Sequence, residues 1–150
     1  MEQILTDNNL VISVDAMGGD NSPRVVIEGL AIAAKENKDI RFLVFGDEDR
    51  VQEEINRFPA LRSVCEIRHS PEMVHNEDKP SQVIRNKNTS MYQAIDAVRQ
   101  GEAQAVVSAG NTGALMAISK MLLKTIQKIH RPAIVSIMRS EERRVGKECR

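Results

Sequence analysis

The sequence has no tryptophan, and its aromatic side chains are three phenylalanines and one tyrosine. Proteins that bind single-stranded nucleic acid stack bases on aromatic side chains, so this composition argues against a base-stacking platform. The 21 basic and 21 acidic residues balance to zero net charge, which leaves no overall field to attract nucleic acid or anionic lipid. We therefore expect no nucleic-acid partner.

Cysteine is also scarce, with only Cys65 and Cys149. Two cysteines do not make a disulfide framework or a zinc knuckle, and His69, His75 and His130 lack the spacing of metal ligands. The sequence therefore predicts no metal and no cofactor. Cys65 lies inside a predicted strand, where we interpret it as a small buried apolar side chain.

Long hydrophobic runs are absent as well. No apolar stretch approaches the ~20 residues of a membrane-spanning helix. Residues 1–9 lack the basic and apolar regions of a signal peptide. These absences predict a cytoplasmic protein, with peripheral contact as its route to a membrane. The 150 residues suffice for one domain with a hydrophobic core.

Short apolar runs alternate along the chain with amphipathic segments, which is typical of a parallel sheet with helices on both faces. The predicted strands are 10–14, 42–45, 64–68, 105–108 and 133–137. The predicted helices are 23–36, 48–57, a short 80–85, 90–100 and 112–129, and the predicted loop is 70–79. This pattern indicates an α/β fold.

Residues with capping chemistry mark three of the helix starts. Ser22 is the expected N-cap ahead of Pro23 at the first helical position, and Asp47 is the expected cap of the second helix. Ser90 and Gln93 form a predicted capping box for the fourth helix.

Two glycine-containing loops follow predicted strands. The first spans residues 15–20 and the second residues 108–113, and each holds two glycines. Glycine lets the backbone approach a ligand closely, and the helix N-terminus that follows offers unpaired N–H groups to an anion. One such loop is as often structural as ligand-binding. Two of them in one small sheet predict a phosphate-handling site.

Four motifs carry a family resemblance: 14–20 with 22–23, then 87–91, 107–116 and 131–133. On these motifs, residues 10–138 resemble the N-terminal part of the phosphate acyltransferase family of bacterial phospholipid synthesis. The resemblance implies a Rossmann-like three-layer α/β/α fold with a mostly parallel sheet, similar to phosphotransacetylases. It implies a homodimer that transfers a fatty acyl group from acyl carrier protein to inorganic phosphate. The acyl phosphate produced would supply a membrane glycerol-3-phosphate acyltransferase.

The resemblance also gives candidate site residues. Those expected to carry the chemistry are Asp15, Asp20, Lys87 and Asn111. Those expected to bind phosphate or substrate are Gly18, Gly19, Ser90, Ser108, Gly110, Thr112 and Gly113. Phosphate is itself a nucleophile, so the protein's tasks are to position it and to stabilise the developing oxyanion.

Several of these residues have two open roles. Either Asp15 or Asp20 would accept a proton from hydrogen phosphate or orient Lys87, yet each is equally explained as a turn-capping or helix-start acid. Lys87 offers a compact cation for phosphate, although an exposed lysine needs no function. Ser90 is better explained as an N-cap than as a nucleophile.

The charged segment 139–150 does not fit the pattern. Eight of its residues are charged, and Arg139 stands where the family pattern has proline. We interpret it as a non-native or disordered tail, with 1–9 as an N-terminal extension and 10–138 as an incomplete N-terminal half. Two rival hypotheses follow: a non-catalytic module that binds phosphate or nucleotide, and a partly folded fragment. The nucleotide-binding G-x-G-x-x-G and G-x-x-x-x-G-K-[ST] patterns are absent.

Three lysines recur at helical spacing in the last predicted helix, namely Lys120, Lys124 and Lys128. This spacing predicts a basic stripe on one helix face. We interpret the stripe as a solvated face, with docking of the acidic acyl carrier protein as the alternative.

Overall fold

A computed structural model describes residues 10–129, 132 and 133 of the chain. The strands are β1 Leu10–Asp15, β2 Ile40–Gly46, β3 Cys65–His69 and β4 Ala105–Ser108. The helices are α1 Arg24–Glu36, α2 Glu48–Asn56, α3 Pro80–Val83, α4 Ser90–Gln100 and α5 Thr112–Leu123, and a 3₁₀ turn covers Pro59–Ser63. Residues 1–9, 139–150 and all but Ala133 of the predicted strand 133–137 lie outside the described part.

The strands form one parallel sheet in the order β3-β2-β1-β4. Val14 of β1 lies opposite Val44 on one side and Val107 on the other. The chain therefore adds β2 and β3 on one side of β1 and then crosses over to place β4 on the other side. In sheets of this kind, ligands bind outside the carboxyl ends of the strands where the winding reverses. That point lies between the loops that follow β1 and β4.

Helices cover both faces of the sheet. Val44 belongs to a buried cluster with Ile27 of α1 and Val51 of α2. Successive side chains of a strand point to opposite faces, so the next residue, Phe45, packs with Ala94 of α4 instead. Helix α5 packs against α4 through a further buried cluster. The predicted α/β/α layering is therefore confirmed for the described residues.

The first two helices differ in how they begin. Asp47 Oδ1 accepts the backbone N–H of Arg50 at 3.0 Å, which confirms the predicted N-cap of α2. The predicted cap at Ser22 is wrong. Its hydroxyl donates to the carbonyl of Met17 at 2.8 Å, and α1 begins after Pro23 without a side-chain cap. The Ser22 hydroxyl therefore links two residues of the β1–α1 loop and does not cap α1.

The predicted capping box of α4 is also wrong. Thr89 caps this helix, because its hydroxyl oxygen accepts the backbone N–H of Tyr92 at 3.3 Å. Ser90 is already inside the helix and donates its hydroxyl to Asp15, while Gln93 bonds to a serine of the preceding loop. Neighbouring threonine and serine offer the same local chemistry, so long-range hydrogen bonds decided between them.

Helix α5 is shorter than predicted. It ends at Leu123, and Lys124 has φ 64° and ψ −167°, which leaves the helix. Lys128 also has a positive φ of 71°. Lys120, Lys124 and Lys128 therefore do not share a helix face, and the predicted basic stripe is wrong. Tertiary packing supplies most helix stability, and Ile126 beyond the helix is 81% exposed and lacks that support.

Candidate functional site

Asp15, the last residue of β1, sits at the point where the winding reverses and is only 2% exposed. Its Oδ1 accepts the Ser90 hydroxyl at 2.6 Å and the Met17 backbone N–H at 3.2 Å. Its Oδ2 accepts the Ser108 hydroxyl at 2.7 Å. One buried carboxylate therefore connects the ends of β1 and β4 with the start of α4, and both of its oxygens are occupied.

The two predicted loops meet directly at Gly18 and Gly110. A Cβ added to Gly18 would lie 2.7 Å from Gly110 N and 2.9 Å from both Asp15 Oδ2 and Ser108 Oγ. The Ser108 hydroxyl oxygen also accepts the Gly110 N–H at 3.1 Å. Glycine is required at position 18 because of this close backbone approach. It is required at Gly19 because the φ there is +94°.

A cavity of about 310 Å³ opens beside this contact and is lined by Gly18, Gly19, Asp20, Asn76 and Ala109, among others. Asp20 is exposed, and its Oδ1 accepts the Asn76 amide at 3.1 Å. The carboxylate of Asp20 therefore faces solvent at the cavity, whereas that of Asp15 is buried beneath the loops. Of the two acids, only Asp20 is accessible to a ligand.

A second cavity of about 220 Å³ shares Gly19, Asp20 and Asn76 with the first. It adds Arg50 from α2 and His75 from the 70–79 loop. The shared lining makes the two cavities neighbouring parts of one cleft at the carboxyl edge of the sheet. We refer to them together as the β1-loop cleft.

Asn111 does not present its amide to this cleft. Its Oδ1 accepts the Ala114 N–H at 3.0 Å, which makes Asn111 the N-cap of α5. Its Nδ2 donates to the carbonyl of Asn76 at 3.0 Å and lies 3.4 Å from that of Asp78. The side chain therefore connects α5 to the 70–79 loop, and both ends of the amide are used within the chain.

Lys87 lies in a different place from the glycine loops. It lines a separate cavity with Tyr92, Asp96 and Arg99. The pKa of the Asp96 carboxyl is lowered, first by the hydrogen bond from Arg99 and to a smaller extent by the charge of Lys87. Among the hydrogen bonds of residues 10–129, none joins Lys87 to Asp15.

The remaining predicted residues lie in the first turn of α5 or beside the two glycine-containing loops. Thr112 is exposed and Gly113 half-buried at the start of α5. Ser90, Ser108, Gly18 and Gly110 are brought together around Asp15. The structure thus assembles most of the predicted set and separates Lys87 from it.

Arg50, His75 and Asn76 line the β1-loop cleft but are not among the residues predicted from the sequence. The signal available was the polar loop 70–79, which directly follows a predicted strand and therefore starts at the carboxyl edge of the sheet. Arg50 carried no such signal, because its Nη2 reaches the Ser22 carbonyl at 3.2 Å only after α1 and α2 pack side by side.

Features outside the cleft offer little further chemistry. Cys65 packs against the core but is half-buried rather than buried as predicted. Desolvation raises the pKa of its thiol to about 12. Within residues 10–129, no three His, Cys, Asp or Glu side chains group as a metal site would require. In the same part of the chain, no helix combines the length and apolar character that crossing a bilayer demands.

The chain is similar to known proteins over most of its length. Residues 10–145 match a family model described as "Fatty acid synthesis protein". Curated relatives named "Phosphate acyltransferase" are 49% identical over 133 residues in Granulibacter bethesdensis and 49% over 132 residues in Rhodospirillum rubrum. These alignments cover 89% and 87% of this chain but only 36% and 38% of the relatives. The chain thus spans little more than a third of their length.

Proposed function

Because the chain belongs to the fatty acid synthesis protein family, we propose that it supplies the N-terminal part of a phosphate acyltransferase. The proposed reaction transfers a fatty acyl group from the thioester of acyl carrier protein to inorganic phosphate. A phosphate oxygen attacks the thioester carbonyl carbon, the carbon–sulfur bond breaks, and the carrier leaves as a thiolate. The proton lost by hydrogen phosphate converts this thiolate to the free thiol. The products are an acyl phosphate and free acyl carrier protein.

This reaction needs positioning more than covalent help from the protein. Phosphate is the nucleophile and a thiolate is the leaving group. The protein must therefore hold the phosphate oxygens against the carbonyl carbon and stabilise the oxyanion with fixed dipoles. The β1-loop cleft suits these tasks, because the closely packed backbone of Gly18 and a solvent-facing carboxylate line the same space.

The two acids receive different roles in this proposal. Asp20 is the group that accepts a proton from hydrogen phosphate, since its carboxylate is exposed at the cleft. Asp15 is a positioning residue, since three hydrogen bonds already occupy its oxygens. Asn111 likewise acts by holding α5 and the 70–79 loop together.

One observation carries the proposal: the two loops of the family motifs converge where the strand order reverses, and a cavity opens at that place. Family identity alone would support any activity of the longer relatives. The convergence supports the β1-loop cleft as the proposed location of the acyl transfer. The homodimer and the membrane enzyme that consumes the product stay predictions from the family.

The experiment that tests the function is a chimera. Residues 10–138 of this chain replace the matching segment of the Granulibacter bethesdensis relative, with which it shares 49% identity. We expect the chimera to release carrier thiol from acyl–acyl carrier protein only when phosphate is present, with acyl phosphate trapped as a hydroxamate. A folded chimera that shows no phosphate-dependent release, beside an active parent, would contradict the proposal.

A pair of aspartate variants in the chimera tests the assigned role of Asp20. We expect Asp20→Asn to lower turnover by about 10²-fold, which is the lower end of the rate losses expected when a general base is removed. Asp39→Asn is the control, because Asp39 is also exposed but lies outside the cleft. Equal turnover in the two variants would remove Asp20 from the mechanism.

A further inference from the structure

Arg50 contacts the loop that follows β1. The residue lies in the first turn of α2, and its Nη2 donates to the carbonyl of Ser22 at 3.2 Å. The Ser22 hydroxyl is itself bonded to the Met17 carbonyl at 2.8 Å, so the loop that receives the guanidinium is closed on itself. One hydrogen bond therefore holds this exposed side chain against a loop that lines the cleft.

The rest of that guanidinium has no partner within residues 10–129. Arginine has five N–H donors, and the Ser22 carbonyl uses one of them. The other arginines placed near carboxylates form ion pairs, such as Arg24 with Glu28 and Arg99 with Asp96. Arg50 forms none in the described part of the chain, although it shares a cavity with Asp20.

The cavity at Arg50 carries further hydrogen-bond donors. The imidazole of His75 and the amide of Asn76 belong to residues that line it, together with the backbone of Gly19. Its volume of about 220 Å³ accommodates a tetrahedral oxyanion with bound water. Planar guanidinium donors match the oxygens of such an anion two at a time.

We propose that Arg50, with His75 and the Gly19 backbone, binds a phosphate-type oxyanion in the β1-loop cleft. The inference rests on the proposed function. It gives Arg50 the role of the phosphate-binding cation, for which Lys87 was the candidate from the sequence. Two anions share this chemistry: the inorganic phosphate that attacks, and the phosphodiester of the arm that carries the acyl group. Asp20, which lines the same cavity as Arg50, would then face the bound oxygens and accept a proton from hydrogen phosphate.

Kinetics of the chimera separate the two anions. We expect Arg50→Gln to raise the KM for one substrate by about ten- to a hundred-fold, the range for losing a charged hydrogen bond. A rise for inorganic phosphate identifies the free anion, and a rise for acyl carrier protein identifies the phosphodiester. Arg50→Lys keeps the charge without the planar fork and should recover only part of the loss.

The control variant is Arg62→Gln, because Arg62 is exposed in the 3₁₀ turn and lines neither part of the cleft. Both KM values of this control should match those of the unmodified chimera. If Arg50→Gln also leaves both KM values unchanged, the proposal is overturned.

A direct measurement of phosphate binding tests the anion site independently of the acyl transfer. Inorganic phosphate, compared with potassium chloride at equal ionic strength, should raise the melting temperature of the purified chain or the chimera. Arg50→Gln should abolish that rise and Arg62→Gln should preserve it. An inactive chimera that still shows this pattern contradicts the acyl transfer but supports the anion site. The anion site is contradicted if phosphate raises the melting temperature of Arg50→Gln as much as that of the unmodified protein. It is also contradicted if phosphate does not raise the melting temperature of the unmodified protein and Arg50→Gln leaves both KM values unchanged.

Discussion

Single residues at the carboxyl edge divide into those that build the cleft and those that face it. The buried Asp15 carboxylate accepts hydrogen bonds from Ser90 and Ser108, which are distant in the sequence, and from the nearby Met17 N–H. Burying a carboxylate without such partners would cost several kcal/mol. The three donors therefore make a buried acid at position 15 possible. Asp20, five positions later, meets solvent and one amide. Similar acids in one motif therefore have different physical roles.

Glycine 18 provides the sharpest test at this scale. Gly18→Ala places a methyl group within 3.0 Å of two side-chain oxygens and of a backbone nitrogen that cannot move alone. We expect this variant to lower the free energy of unfolding by about 1–3 kcal/mol or more, the cost of overpacking. Chemical denaturation of the purified chain measures the change.

The matched control is Gly29→Ala in α1. A Cβ at Gly29 would meet nothing within 4 Å, and alanine is preferred over glycine in a helix by about 1 kcal/mol. This variant should therefore be as stable as the parent or more so. Equal effects of the two alanines would contradict the close packing of the loops.

At the scale of elements, Asn111 connects a helix to a loop. Asn111→Ala removes the N-cap of α5 and should cost about 1–2 kcal/mol of unfolding free energy. Asn111→Asp keeps an oxygen for the Ala114 N–H but loses the amide that donates to the 70–79 loop. We expect the aspartate variant to retain the helix and to expose the loop to proteolysis.

Thr112→Ala serves as the control for Asn111, because Thr112 is exposed and next to the cap. Hydrogen exchange at α5 and limited proteolysis at residues 75–79 report the two effects separately. If Asn111→Asp and Asn111→Ala expose the loop no more than the control does, the amide does not hold it.

The elements were predictable wherever a local pattern determined them. Continuous apolar runs identified β2 and β4, and Asp47 marked the start of α2 through the one contact that a cap requires. Local patterns failed where two neighbours offered equal chemistry, as with Thr89 and Ser90. They also failed at the end of α5, where helix spacing continues but burial does not.

The candidate site was predictable only in part, for a related reason. Both glycine loops lie within strand-to-helix connections, so topology brings them to one edge of the sheet. Lys87 was assigned by motif alone, and the chain places it beside Asp96 instead. The position of Arg50 depends on how α1 and α2 pack, which a single sequence does not encode locally.

At the scale of the whole molecule, β4 is the edge strand of the sheet that the described residues form. Within residues 10–129, β4 pairs with β1 alone, and Val107 is 54% exposed although it lies next to the buried Val14. Parallel strands are normally buried on both faces, and an exposed apolar edge strand promotes pairing between chains.

We therefore expect the purified chain to associate through β4 as its concentration rises. Val107→Lys places a charge on that edge and should lower the weight-average mass at a given concentration, as measured by sedimentation or light scattering. Ile32→Lys is the control, since Ile32 is 62% exposed on α1, away from the edge. Association that survives Val107→Lys but disappears in Ile32→Lys would move the contact from the sheet edge to α1. A reduction confined to Val107→Lys would identify β4 as the edge through which the chains pair.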